Sequence, residues 1–225
     1  QSRYTGRIDP LTSATSGLHP IGLDPTRGQL LGLLVQSPSL TERIAQGKEV
    51  GYVIITLGVI AILIALWRLF ALSATSAKVN RQAKNLEKPG NNPLGRVLKI
   101  AHDNPESDVE SLELKLGEQI LKETPKFNTA LPFLKIISVV APLLGLLGTV
   151  TGMIITFQAI TLYGAGDPKL MAGGISTALV TTVLGLCVAI PTVFLHTLVQ
   201  SRAKRLTKIL QEEADGMLSE RAERM

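Results

Sequence analysis

Side chains able to do acid–base, nucleophilic or metal chemistry are few and widely separated in this 225-residue chain. The histidines, His19, His102 and His196, stand without metal-ligand spacing, and Cys187 is the one cysteine, so it has no internal disulfide partner. The glycines of "GLLGTVTG" are not followed by the Lys and Ser or Thr of a phosphate-cradling loop, and there is no G-x-G-x-x-G. The expectation is no enzyme, no catalytic residue, no metal and no cofactor. His196 reads as an interfacial or hydrogen-bonded residue and Cys187 as a small apolar filler. What remains is hydroxyl chemistry. Residues 141–157, "APLLGLLGTVTGMIITF", put three glycines, three threonines and a proline into a run without a charge. An alcohol does not titrate near neutral pH, but it can orient water and give or accept a hydrogen bond.

The elements that must position these hydroxyls follow from hydropathy. The chain is 45% hydrophobic and 18% charged, with a mean hydropathy of +0.28, unusual for a soluble domain. Three runs, 50–67, 136–166 and 170–201, contain no Asp, Glu, Lys or Arg, and each approaches or exceeds the roughly 20 residues that cross a bilayer. The fold class is thus an all-α membrane protein with three transmembrane helices, the second and third extending into the cytoplasm. Basic residues set the orientation: Arg68, Lys78, Arg81, Lys84 and Lys88 follow the first run, and Arg202, Lys204, Arg205 and Lys208 the third, whereas the loop between the last two runs has only Lys169. The N-terminus is expected outside and the C-terminus in the cytoplasm. The net charge of +5 then reads as a topology signal with some attraction to anionic membrane lipid, and with aromatics at 4% no nucleic-acid partner is expected.

The expected organisation is an extracytoplasmic tail (1–49), transmembrane helix 1 (50–70), a cytoplasmic helical segment (71–132), transmembrane helix 2 (133–163), an extracytoplasmic loop with Asp167 and Lys169 (164–170), transmembrane helix 3 (171–199) and a cytoplasmic C-terminal helix (200–225). The chain starts at Gln1 with no signal-peptide pattern, so residues upstream are expected. In the tail a short amphipathic piece lies around "QLLGLLVQSP"; in the cytoplasmic segment "EKPGNNPLG" reads as a turn. Beyond it, Ser107 and Glu110 have capping-box spacing, and Val109, Leu112, Leu116 and Ile120 form an apolar stripe. A second stripe, Leu206, Ile209, Leu210, Met217 and Leu218, follows the third span; the two stripes cover each other or face a neighbouring subunit.

Small residues recur at helical spacing inside the spans: Ala141, Gly145, Gly148, Gly152 and Thr156 in the second, and Gly174, Ala178, Thr182, Gly185 and Ala189 in the third. In lipid such faces let backbones approach closely, which makes Gly145, Gly148, Gly152, Ala178 and Gly185 the expected helix-packing residues and the two faces the expected glue of an oligomer. Pro142 and Pro191 are expected to kink these helices and free carbonyls for Thr or water.

The string "APLLGLLGTVTGMIITF" followed by "GGISTALVTTVLGLCVAIPTVFLHTL" resembles the ExbB, TolQ and MotA proton-channel family and is closest to ExbB, in the longer form with an extracytoplasmic N-terminal region. The likeness is strong over 132–200. It implies a homopentamer in the bacterial inner membrane, N-terminus in the periplasm and C-terminus in the cytoplasm, around an ExbD-like single-span partner, with a TonB-like protein energised at the outer membrane for uptake of iron-siderophore or similar nutrients. It also implies that Thr149 and Thr182 line the lumen. Thr177 stands where many ExbB proteins carry a Glu, so the titratable Asp is expected from the partner. A TolQ-like subunit of the Tol-Pal system and a non-conducting scaffold are the alternatives; a MotA-like stator would be expected to have four spans.

Overall fold

A computed structural model describes residues 40–86, 88–164 and 168–223. The chain divides into two units, Gln1–Glu42 and Arg43–Met225, and of the first only residues 40–42 are described. Most of the expected tail, with His19 and the amphipathic piece, lies outside the described residues, as does Asp167.

The described residues contain helices and no strand: α1 (Leu40–Gln46), α2 (Lys48–Ala83), α3 (Pro93–Asp103), α4 (Val109–Asn128), α5 (Leu131–Tyr163) and α6 (Pro168–Glu223). Three helical stretches, carrying α2, α5 and α6, are long and apolar enough to cross a membrane. With 36, 33 and 56 residues these helices run about 54, 50 and 84 Å, against roughly 30 Å of hydrocarbon. The excess of α2 and α6 continues without a break into a water-exposed bundle with α3 and α4. The expected segment 71–132 is therefore the end of α2, two shorter helices and the turns between them.

Local chemistry explains the turns. Asn92 caps α3, its Oδ1 accepting from the Gly95 N–H at 2.9 Å, with Pro93 in the first turn, where its missing N–H costs nothing. Gln82 of α2 holds the connection: its Nε2 donates to the Asn85 and Lys88 carbonyls, and its Oε1 accepts from the Gly90 N–H and Asn92 Nδ2. At α4 the expected capping box gives way to a different cap. Asp108 accepts from the Ser111 N–H at 3.2 Å, while Ser107 accepts from Lys115 Nζ. The carboxylate is the better acceptor at the positive end of a helix, and it starts α4 one residue later than a Ser107 cap would. Between α4 and α5 the helix is interrupted at Ala130, whose φ of 65 is a left-handed conformation rare outside glycine, and both helices pack along α6.

The bundle core is made of large aliphatics. Leu112, Leu116, Ile120 and Phe127 of α4 and Val199, Ala203, Leu206, Leu210 and Ala214 of α6 are buried in one cluster with Leu94, Val97 and Leu98 of α3. The two stripes read from the sequence thus cover each other within one chain; Ile209, Met217 and Leu218 pack at the margin.

Candidate functional site

Helices α5 and α6 make the most extensive contact in the protein, and their seam is built almost without side chains. The buried residues of α5 beyond its first turns are Ala141, Gly145, Gly148, Gly152 and Thr156, the small face read from the sequence. Opposite them lie Gly174, Thr177, Ala178, Thr181, Gly185 and Ala189. The separation leaves no room for a methyl group. A Cβ on Gly148 would fall on the Thr181 side chain, with its Cγ2 at 2.7 Å; one on Gly185 would lie 2.7 Å from the Ala141 carbonyl oxygen; one on Gly152 would lie 2.8 Å from the Ala178 nitrogen. At Gly185 and Gly152 the opposing atoms are backbone, which cannot give way, and at Gly148 they belong to the short, fully buried Thr181 side chain.

This geometry corrects two expectations. The small faces are consumed between α5 and α6 of one chain, so they are not free to join neighbouring copies. The third-span face also runs through Thr181, which is fully buried, while Thr182 is half-exposed at its edge. Thr177, Thr181, Gly185 and Ala189 follow one another at i+4, a spacing visible in the sequence once Thr is counted as small. A third correction concerns Cys187, which is exposed on the protomer and fills no gap.

The hydroxyls are arranged by depth in the seam. Thr177 donates to the Gly173 carbonyl at 3.0 Å, Thr181 to Ala178 at 2.9 Å and Thr156 to Gly152 at 3.0 Å, all buried. Thr149 is half-exposed and donates to Leu146 at 2.6 Å. Thr182 reaches across the seam, its Oγ1 shared at 3.4 Å between the Gly145 carbonyl of α5 and the Ala178 carbonyl of its own helix. Each proton is thereby committed, and each oxygen keeps lone pairs to accept from water or a protonated acid. Pro142 and Pro191 sit inside unbroken helices, each removing one backbone hydrogen bond. Among the described residues no threonine hydroxyl is bonded to the freed Ser138 or Cys187 carbonyl.

Neither 136–163 nor 171–201 contains an Asp, Glu, Lys or Arg, and no cluster of metal-ligating side chains occurs among the described residues. The pair can present dipoles but cannot itself pass a proton through a titrating chain. Lys135, His196 and Lys204 line a cavity of about 550 Å³ at the bundle end of the seam. His102 lines another of about 850 Å³ at the far end of the bundle.

Sequence reasoning passed over the charged supports. Arg68, 7% exposed, donates from its Nη2 to the carbonyls of Lys126 (3.0 Å) and Phe127 (2.7 Å) at the end of α4. Arg96 of α3 grips Glu123 of α4 with two bonds of 2.7 Å, and Lys126 adds a third at 3.0 Å. The Arg96 guanidinium holds the Glu123 carboxyl below the usual carboxylate range, against the opposing effect of burial and with help from Lys126. The sequence signal was Glu123 at i+3 from Ile120, on the apolar stripe where a lone charge needs a partner. Helix α2 also uses glycine: a Cβ on Gly58 would lie 2.7 Å from Val188 Cγ2 of α6.

The described residues form a three-span helical unit with a glycine-threonine seam whose apolar stretches hold no Asp, Glu, Lys or Arg, the features of a membrane subunit. The sequence pattern of the MotA/TolQ/ExbB proton channel family matches residues 90–212, more than half of the chain, which therefore belongs to that family. Biopolymer transport protein exbB1 of Vibrio cholerae is 35% identical over 129 residues, covering 55% of this chain and 56% of that protein. An ExbB homologue of Methanothermobacter thermautotrophicus is 31% identical over 182 residues, covering 73% of this chain and 64% of that protein. The Tol-Pal system protein TolQ of Pseudomonas aeruginosa is 25% identical over 143 residues, covering 64% and 62%. The chain thus spans between just over half and just under two thirds of the length of these relatives.

Proposed function

We propose that this chain is the proton-channel subunit of an inner-membrane complex of the ExbB-ExbD-TonB type, which uses the proton motive force to drive outer-membrane uptake of iron-siderophore or similar nutrients. The observation that carries this reading is a seam too tight to flex and bordered by threonine oxygens, in a membrane segment without any acid. A proton path along it needs a carboxylate from another chain. A single-span ExbD-like partner supplies that Asp, and Thr149 and Thr182 accept hydrogen bonds from it or from its water as its charge changes. Thr177, buried in the seam, is the weakest of the three lumen candidates.

The assembly proposed is a pentamer around the partner helix. Support comes from the outward faces of α5 and α6, where Leu143, Leu147, Val150, Leu179, Val183 and Ile190 are exposed on the single chain, leaving apolar surface for lipid, neighbours or the partner. The N-out, C-in orientation is supported by the concentration of Lys and Arg beyond the bundle ends of α2 and α6. The ExbB relatives match at higher identity than TolQ, which favours the TonB system.

The test is proton flux in vesicles containing this chain with and without its single-span partner. Flux should require the partner and should vanish when the partner's membrane Asp is changed to Asn. Equal flux from this chain alone contradicts the reading, and no flux from the intact complex leaves the scaffold alternative.

A further inference from the structure

We propose that the cavity between α2, α3 and α4, at the end of the apolar part of α2, binds the phosphate of an anionic phospholipid headgroup. The cavity holds about 220 Å³ and is lined by Arg68, Lys78, Arg96, Lys126 and a single acid, Glu123. It is too small for a typical organic ligand, whose pockets begin near about 300 Å³.

The charges in it do not cancel. Both Glu123 oxygens are already committed: Oε1 accepts from Arg96 Nε, Lys126 Nζ and Gln119 Nε2, and Oε2 from Arg96 Nη2. Arg68 is 7% exposed; among the described residues its hydrogen-bond partners are two neutral carbonyls, and its guanidinium carbon lies 5.6 Å from the Trp67 ring centroid, with no acid beside it. Its Nε is buried with no partner at all. Removing a guanidinium from water costs several kcal/mol unless an anion compensates. Lys78 is exposed and forms no ion pair among the described residues. Arg68 and Lys78 therefore bring two cations without an acidic partner to one small space.

Depth selects the anion. Arg68 follows Trp67, the last residue of the charge-free run 50–67, and the exposed Trp67 and Phe70 stand where aromatic side chains favour the headgroup layer. A phosphodiester offers oxygens to the Arg68 fork and to Lys78, while its acyl chains lie along the exposed Ile60 and Trp67, which fall on the Lys78 side of α2. Free phosphate shares the chemistry but leaves those apolar side chains uncovered.

Full-length protein exchanged into detergent with phosphatidylglycerol or phosphatidylcholine, then examined by native mass spectrometry, tests the assignment. Phosphatidylglycerol should be retained over phosphatidylcholine. Lys78→Gln, at a surface position that packing does not need, should weaken retention about fivefold, the effect of about 1 kcal/mol per cation. Lys99→Gln makes the same charge change on an exposed α3 position outside the cavity and should leave retention as in the wild type. Equal retention by wild type and Lys78→Gln, an equal loss with Lys99→Gln, or displacement of the lipid by inorganic phosphate would each overturn the proposal.

Discussion

The α5–α6 seam and the water-exposed bundle are built on continuations of the same helices, yet they are held by opposite means. In the bundle, Leu112, Leu116, Leu206 and Leu210 are removed from water, and each large side chain adds about 1.5–3 kcal/mol on burial. In the seam the large side chains face outward, as Leu143, Leu147, Val183 and Leu186 do, because lipid is as apolar as they are and nothing is gained by hiding them. What stabilises the seam is close approach of backbones, which only Gly, Ala and Thr permit. Size is therefore an asset in one region and an obstacle in the other.

Glycine gives the sharpest way to break that comparison. Gly148→Ala should cost about 3 kcal/mol, because the new methyl falls on the fully buried Thr181 side chain; the loss would appear as a lower midpoint for unfolding of detergent-solubilised protein. A midpoint equal to wild type would mean the seam is looser than described.

The charged clamp of the bundle should show an intermediate effect. Glu123→Gln removes the charge from the bonds to Arg96 and Lys126 and should cost about 2 kcal/mol at neutral pH. Because the folded-state carboxyl is depressed, this contribution is complete above the ordinary carboxylate range and fades as pH falls through the lower folded value. Wild type and Glu123→Gln should therefore converge in acid; a gap independent of pH would show that the side chain acts by packing alone.

The smallest effect has the opposite sign. Gly117 in α4 has nothing within 4 Å of the position a Cβ would take. Gly117→Ala should stabilise the protein by about 1 kcal/mol through helix propensity. The same substitution thus reverses its sign between the two regions, and thermal unfolding of the two variants side by side would test it.

The sequence made one half of this arrangement readable. Periodic small residues exposed the α5 face because a seam of this kind tolerates only a few residue types, and alternation of Leu with charge exposed the α4 and α6 stripes. Thr181 was harder to see: Thr181 and Thr182 are adjacent, and one residue of rotation, about 100°, decides which is buried. Glu123 showed only as a lone charge on the α4 stripe, and the long-range partners of Arg68 and Arg96 were invisible for another reason. Arg68 reaches carbonyls 58 and 59 positions away and Arg96 a carboxylate 27 away, and these pairings exist only once α2, α3 and α4 have packed. The Asp108 cap shows the same limit on a smaller scale, since Ser107 and Asp108 both suit the role and the geometry of the preceding turn selects between them.

The central claim is that half-exposed threonine oxygens at the edge of a rigid seam serve a proton path whose acid comes from elsewhere. Thr149→Val with Thr182→Val tests it most directly, because valine keeps the shape and removes both oxygens. Energy-dependent uptake, measured in cells carrying the variant at normal expression and with its oligomer intact, is expected to be lost. Full uptake by that double variant would contradict the account and leave both threonines with a structural role only.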